Sequence, residues 1–150
     1  MNKKFHTLRL IFFTSLVLAV LAGLYLDSVN NTLNQSEQCI FFDNTCSFDS
    51  QHLDLHISFL DAPIIEEELF ISFEISQGNQ IKSAWIEGIN MYMGKTPIIF
   101  EDEKSKDKLK GVTFLGSCSE PKMQWQLLVE VKDKAGQTKV YSALFKTRSQ

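Results

Sequence analysis

The chain has 150 residues, 44% of them apolar, with 18 acidic and 15 basic side chains for a formal net charge of −3. That is one ordinary domain with enough apolar mass for a real core. The acidic balance makes a poor surface for nucleic acid, so partners of that class are excluded.

Residues 1–9, which include Lys3, Lys4 and Arg9, precede the uncharged run Leu10-Ile-Phe-Phe-Thr-Ser-Leu-Val-Leu-Ala-Val-Leu-Ala-Gly-Leu-Tyr-Leu26. A helix of that length rises about 25 Å, enough to cross a slightly thinned bilayer core. The basic flank predicts that residues 1–9 stay in the cytoplasm and that everything after Asp27 is exported. The expected arrangement is therefore a membrane crossed once, with the C-terminal domain on the exported side. A cleaved signal peptide competes, because Val20-Leu-Ala22 is an acceptable small-residue cleavage site. The apolar run continues past Ala22 to Leu26, which favours a retained signal-anchor over residues 10–26. All 18 acidic residues follow residue 26 while three of the 15 basic ones precede it, so the exported part carries a charge of −6.

Residues 27–38 are polar and aperiodic and read as a tether between membrane and domain. Cys39 and Cys46 flank the turn-like segment Ile40-Phe-Phe-Asp-Asn-Thr45, and in an oxidising compartment this spacing predicts a disulfide. Closing so short a loop is worth about 2–3 kcal/mol. Cys118 is then left over: a buried inert thiol, a link between chains, or a chemically employed group.

From residue 53 the signal has a period of two. Leu53, Leu55, Ile57 and Phe59 alternate with polar residues until Asp61-Ala-Pro63; Leu69, Ile71, Phe73 and Ile75 repeat the pattern up to Gln77-Gly-Asn79. A strand over 81–93 and a short one over 98–100 follow. Residues 101–110 mix charges of both signs and predict a solvated loop. Val112–Leu115 resumes the extended pattern. Met123, Trp125, Leu127, Val129 and Val131 form the clearest alternation, the turn Asp133–Gln137 ends it, and Val140–Phe145 is the last strand. About seven short strands with turns at intervals of about 8–12 residues predict an all-β, immunoglobulin-like sandwich over residues 39–150.

No Gly-x-Ser-x-Gly elbow, phosphate loop, Cys-x-x-Cys pair or His-Glu-x-x-His helix occurs. His6 lies in the cytoplasmic flank. His52 and His56 would share a strand face about 13 Å apart, too far to chelate one ion. On a strand, Met91 and Met93 would also share a face, with Gly94 after them permitting a close turn. Thioethers select Cu(I). Cys118 and Met123 bracket Ser119-Glu-Pro121; if that connection meets the methionine segment, Met91, Met93, Cys118 and Met123 form a soft-metal set. The other reading makes the methionines core filler and Cys118 a small hydrophobe.

The stretch Gly111-Val-Thr-Phe-Leu-Gly-Ser-Cys-Ser-Glu-Pro-Lys-Met-Gln-Trp-Gln-Leu-Leu-Val-Glu-Val-Lys-Asp-Lys-Ala-Gly-Gln-Thr, closing on Ala143-Leu-Phe-Lys146, resembles the small periplasmic sandwiches of the FixH and YtkA-like group. The resemblance covers the C-terminal half. It implies one helix in a Gram-negative inner membrane ahead of a periplasmic β domain, core roles for Trp125 and Phe145, and work in copper delivery or assembly of a respiratory cytochrome oxidase. The expectation is a non-enzymatic accessory protein. Its alternative is a metal-free module that docks a membrane complex through its sheet edges or its anchor. A thiol enzyme built on Cys118 lacks a nearby base in sequence.

The signal-anchor makes a direct prediction. The mature protein keeps residues 1–26 and sediments with membranes after alkaline extraction, whereas N-terminal sequencing that begins at Gly23 contradicts retention.

Overall fold

The structure, a computed structural model, describes residues 14–21, 37–50, 53–101, 105, 107–117 and 119–148. Two compact units are distinguished, Met1–Gln35 and Ser36–Gln150. In the first, residues 14–21 are helical. Among the described residues no helix is long and apolar enough to cross a membrane; the rest of the predicted anchor, and most of the tether, lie outside them.

The second unit contains ten strands: β1 (Gln38–Ile40), β2 (Thr45–Asp49), β3 (Asp54–Phe59), β4 (Glu68–Ile75), β5 (Gln80–Gly88), β6 (Lys95–Pro97), β7 (Ile99–Phe100), β8 (Lys108–Phe114), β9 (Lys122–Lys132) and β10 (Thr138–Arg148). They form two five-stranded sheets, ordered β1-β10-β9-β5-β6 and β2-β3-β4-β8-β7. All pairings are antiparallel except β1 with β10. The period-two alternation produces this layering, since every second side chain points inward. Leu55, Ile57, Leu69, Ile71 and Phe73 of one sheet face Ile86, Trp125, Leu127, Val129 and Phe145 of the other, all at most 5% exposed. Each such side chain contributes about 1.5–3 kcal/mol by leaving water. The buried indole of Trp125 donates from Nε1 to Thr147 Oγ1 at 2.8 Å, so its polar edge is satisfied.

The lateral sides of the sandwich are closed by chain that changes sheets. On one side Asp43 and Asn44, both at positive φ (46° and 61°), form a two-residue turn between β1 and β2, and Phe42 and Thr45 exchange backbone hydrogen bonds of 2.9 Å across it. The predicted disulfide is present here: Cys39 on β1 and Cys46 on β2, with Cα atoms 6.1 Å apart, link the outermost strands of the two sheets. On the other side Pro97-Ile98 carries the chain from β6 to β7. Ile98 is buried against Gly111, where a Cβ would strike its Cγ2, and Thr113 Oγ1 donates to the Pro97 carbonyl at 3.0 Å.

Four sequence expectations are corrected. The described residues form ten strands rather than about seven, because β1, β2 and β6 were too short or too near a turn to show a period. The strand expected over 81–93 ends at Gly88: a Cβ there would strike the Met91 carbonyl oxygen, so the chain turns back over this glycine. The charged segment 101–110 is not all loop, since β8 starts at Lys108, whose Nζ reaches Glu74 Oε1 at 2.8 Å while Leu109 turns inward. The tether is also shorter at its end, because Gln38 already pairs with Ser142.

Among the described residues, the buried core side chains lie between Cys46 and Phe145, so the unit Ser36–Gln150 carries its own core and disulfide. Removing the bridge by Cys39→Ala with Cys46→Ala should lower the unfolding free energy of residues 36–150 by about 2–3 kcal/mol in urea melts. Peptide mapping without reduction should recover Cys39 linked to Cys46; a Cys46 to Cys118 peptide contradicts the pairing.

Candidate functional site

One end of the sandwich gathers the β1–β2 turn, the β3–β4 connection, the β5–β6 loop (residues 89–94) and the β8–β9 connection (residues 115–121). Short polar contacts stitch these together. Ile89 N–H donates to the Gln124 carbonyl at 2.8 Å, and Glu66 N–H to the Leu115 carbonyl at 2.8 Å. Asn90 clamps the start of β9 with both ends of its amide: Nδ2 donates to the Lys122 carbonyl at 3.0 Å, and Oδ1 accepts from Gln124 N–H at 2.9 Å. Two backbone groups of one strand are thereby satisfied by a side chain of another loop.

The candidate soft ligands occupy different places at this end. Met91 sits in the bend after β5 and is 36% exposed. Met93 is half-buried and packs against the core, with its terminal methyl 3.5 Å from where a Cβ on Gly116 would be. Met123 on β9 is fully buried, and its methyl lies 3.0 Å from the corresponding position on Gly88. Cys118 lies outside the described residues. Met93 and Gly116 are thus neighbours. The strand geometry that was to align Met91 with Met93 is absent, because that segment is a loop. Among the described residues no group of three or more His, Cys, Asp and Glu side chains could hold a metal.

Beside the methionine loop the β5–β6 hairpin is braced on its solvent face. Glu87 accepts from Trp85 Nε1 at 2.7 Å and from Gln126 Nε2 at 3.2 Å, and pairs with Lys95 Nζ at 3.3 Å. Lys95 in turn lies 4.8 Å from the centre of the Trp85 ring. Burial pushes the Glu87 carboxyl up, but the hydrogen bonds from Trp85, Lys95 and Gln126 and the Lys95 charge outweigh it, leaving Glu87 below the usual glutamate range.

Sequence reasoning missed the apolar character of this end. Ile40, Phe42, Leu60, Ile89 and Tyr92 are 75%, 77%, 51%, 48% and 87% exposed. Between the β1–β2 turn and Ile89 runs a groove of about 680 Å³, lined among others by Ile40, Phe41, Phe59, Ile89, Trp125 and Phe145. Phe41 stacks on Phe59 with centroids 4.0 Å apart, and Phe145 meets Phe59 edge-on at 5.0 Å. The run Ile40-Phe-Phe42 was the available signal, but its exposure depends on topology.

The outer face of β2 and β3 brings Ser47, His56 and Asp54 together: Ser47 Oγ is 2.6 Å from His56 Nδ1, and Nε2 is 3.1 Å from Asp54 Oδ1. These are the residue types of a nucleophile, base and orienting acid. All three are exposed on the β2–β3 pair, and they line neither the apolar groove nor the cleft that Ser50, Leu53, Asn79, Asp133 and Tyr141 form at the opposite end.

These features define a small two-sheet β domain with a braced, apolar loop end. No family model and no curated protein matches the sequence. Among solved structures it is similar to a DUF4426 family protein from Pseudomonas aeruginosa PAO1, at a TM-score of 0.49 and 10% identity over 73% of this chain and 99% of that one.

Because Glu87 is held below its ordinary range, its contribution to the hairpin is present above the unfolded-state value and lost as pH falls through the folded one. The Trp85 indole N–H resonance should therefore shift as the pH falls below the usual glutamate range and Glu87 protonates. Glu87→Gln keeps an acceptor and should flatten that titration; a flat wild-type titration contradicts the bracing role.

Proposed function

We propose that this protein is a non-enzymatic, membrane-anchored accessory in copper handling or cytochrome oxidase assembly, whose working end is the loop end of the sandwich. Met91, Met93 and Cys118 are the proposed Cu(I) donors. Met123 serves as packing beneath them, because a fully buried thioether under Gly88 does not reach a surface ion. The observation that carries the reading is the 3.5 Å approach of the Met93 methyl to the Cβ position of Gly116, two residues from Cys118. Soft donors fit Cu(I), and three suffice for a trigonal site. The sheet order β3-β4-β8-β7 and, facing it, the order β10-β9-β5-β6 correspond to A-B-E-D and G-F-C-C′, which supports an immunoglobulin-like domain with β1 and β2 added. The exposed apolar residues at the same end favour a second reading, a metal-free interaction module.

The test is titration of residues 36–150 with Cu(I) against a competing chelator, anaerobically and under reduction. One tight copper per domain is expected, weakened by Met91→Leu with Met93→Leu and by Cys118→Ser. Met123→Leu should leave binding intact and cost less than about 1.5 kcal/mol of stability. A variant lacking Cys39 and Cys46 should bind normally. Binding that follows Cys39 and Cys46 alone, or no binding, transfers the function to the interaction module.

A further inference from the structure

Among the described residues of the domain, large exposed apolar side chains gather at the loop end, while Ile99, Phe114 and Val140 are exposed on β7, β8 and β10. Ile40 and Ile89 line one groove, Phe42 closes the turn beside it, Leu60 follows Phe59 in its wall, and Tyr92 is in the same loop as Ile89. Scattered surface hydrophobes need no explanation, whereas a contiguous apolar end marks a contact. The fold holds this end firmly: the turn is set by two left-handed residues and closed by a disulfide, and the Ile89 loop is clamped through Asn90. Little ordering entropy remains to oppose its burial.

We propose that this loop end dips into the interface of the bilayer in which the chain is anchored, with Ile40, Phe42, Leu60, Ile89 and Tyr92 among the headgroups and upper acyl chains. The proposal rests on the reading of residues 10–26 as a membrane anchor. Residues 27–37 separate that run from β1, and a chain of this length spans at most about 40 Å when extended. Ile40 and Phe42 are among the first residues of the folded unit, so the tether keeps them close to the lipid. At such an effective concentration a contact that is weak by itself suffices. Aromatic and branched aliphatic side chains are the types that settle at this depth. The exported part carries −6, so attraction to anionic headgroups does not drive the contact. It is apolar, insensitive to salt and satisfied by zwitterionic lipid.

The experiment uses two arms. The full chain, labelled at isoleucine methyls, is placed in phosphatidylcholine nanodiscs containing a lipid with a nitroxide high on its acyl chain. The Ile40 and Ile89 signals should broaden severalfold more than those of Ile99 and Ile75, and Phe42→Ser with Leu60→Ser should remove the difference. Separately, residues 36–150 are floated with phosphatidylcholine vesicles at millimolar lipid. Co-flotation should persist at high salt and fall at least about tenfold in Ile40→Ser with Phe42→Ser, since two apolar anchors are lost. Flotation that depends on the tip supports the proposal even if the full chain fails to enter discs, a failure that strikes the anchor alone. Disc-bound chains whose tip methyls remain as sharp as Ile99, or a full chain that fails to enter discs together with a domain that stays in the buffer, overturn it and assign the apolar end to a protein partner.

Discussion

The bond between Cys39 and Cys46 runs from the outermost strand of one sheet to the outermost strand of the other, and the loop end takes its shape from it. β1 has only three residues and one neighbour, β10. So short a parallel pairing contributes little by itself. With Cys46 buried and its partner fixed, the intervening residues have one route, a two-residue turn at positive φ. That route turns Phe41 inward onto Phe59 and leaves Ile40 and Phe42 facing outward. A covalent constraint on the edge thus sets both the aromatic wall of the groove and its exposed rim.

The long strands were legible because burial on one face leaves alternation in the sequence, and β3, β4, β9 and β10 lie where Leu53–Phe59, Leu69–Ile75, Met123–Val131 and Val140–Phe145 predicted them. β2 alternates too, with Cys46 and Phe48 inward, but five residues beside a turn are too few to establish a period. The end of β5 was hidden for another reason. Ile89-Asn-Met-Tyr-Met93 has nothing against an extended chain in its residue types. What stops the strand is close packing of the Met91 carbonyl over Gly88 and capture of Asn90 by β9, both long-range facts. The disulfide needed only local spacing and a compartment. The apolar end needed the topology, since its members come from residues 40, 60 and 89.

The methionines show how the two roles of a thioether separate in three dimensions. Met123 alternates with Trp125 and Leu127 on the inward face of β9 and has no exposure, so dispersion contacts account for it. Met93 is intermediate: part of its surface packs on the core, and its methyl approaches Gly116. Met91 is the most exposed of the three. A residue that belongs to the core loses little when replaced by leucine, whereas a ligand loses its chemistry with almost no change of volume. Burial therefore divides this group in a way that sequence spacing did not.

The choice of contact surface follows from what the domain does with its edges. β1 and β6 have three residues each and β7 has two, so the edges they form offer few unpaired backbone groups to an added strand. The remaining edge, β2, alternates polar residues outward and is held at one end by the turn and the disulfide. Strand addition is thus poorly served anywhere on the sandwich. The loop end differs in kind: Asn90, Glu66 and the β1–β2 turn occupy several of its backbone groups, and Ile40, Phe42, Leu60, Ile89 and Tyr92 are exposed on it. A surface with satisfied backbone and exposed hydrophobes is complementary to something that offers apolar area and asks for no hydrogen bonds. A bilayer interface has that chemistry, and the anchor expected from residues 10–26 would keep one within reach.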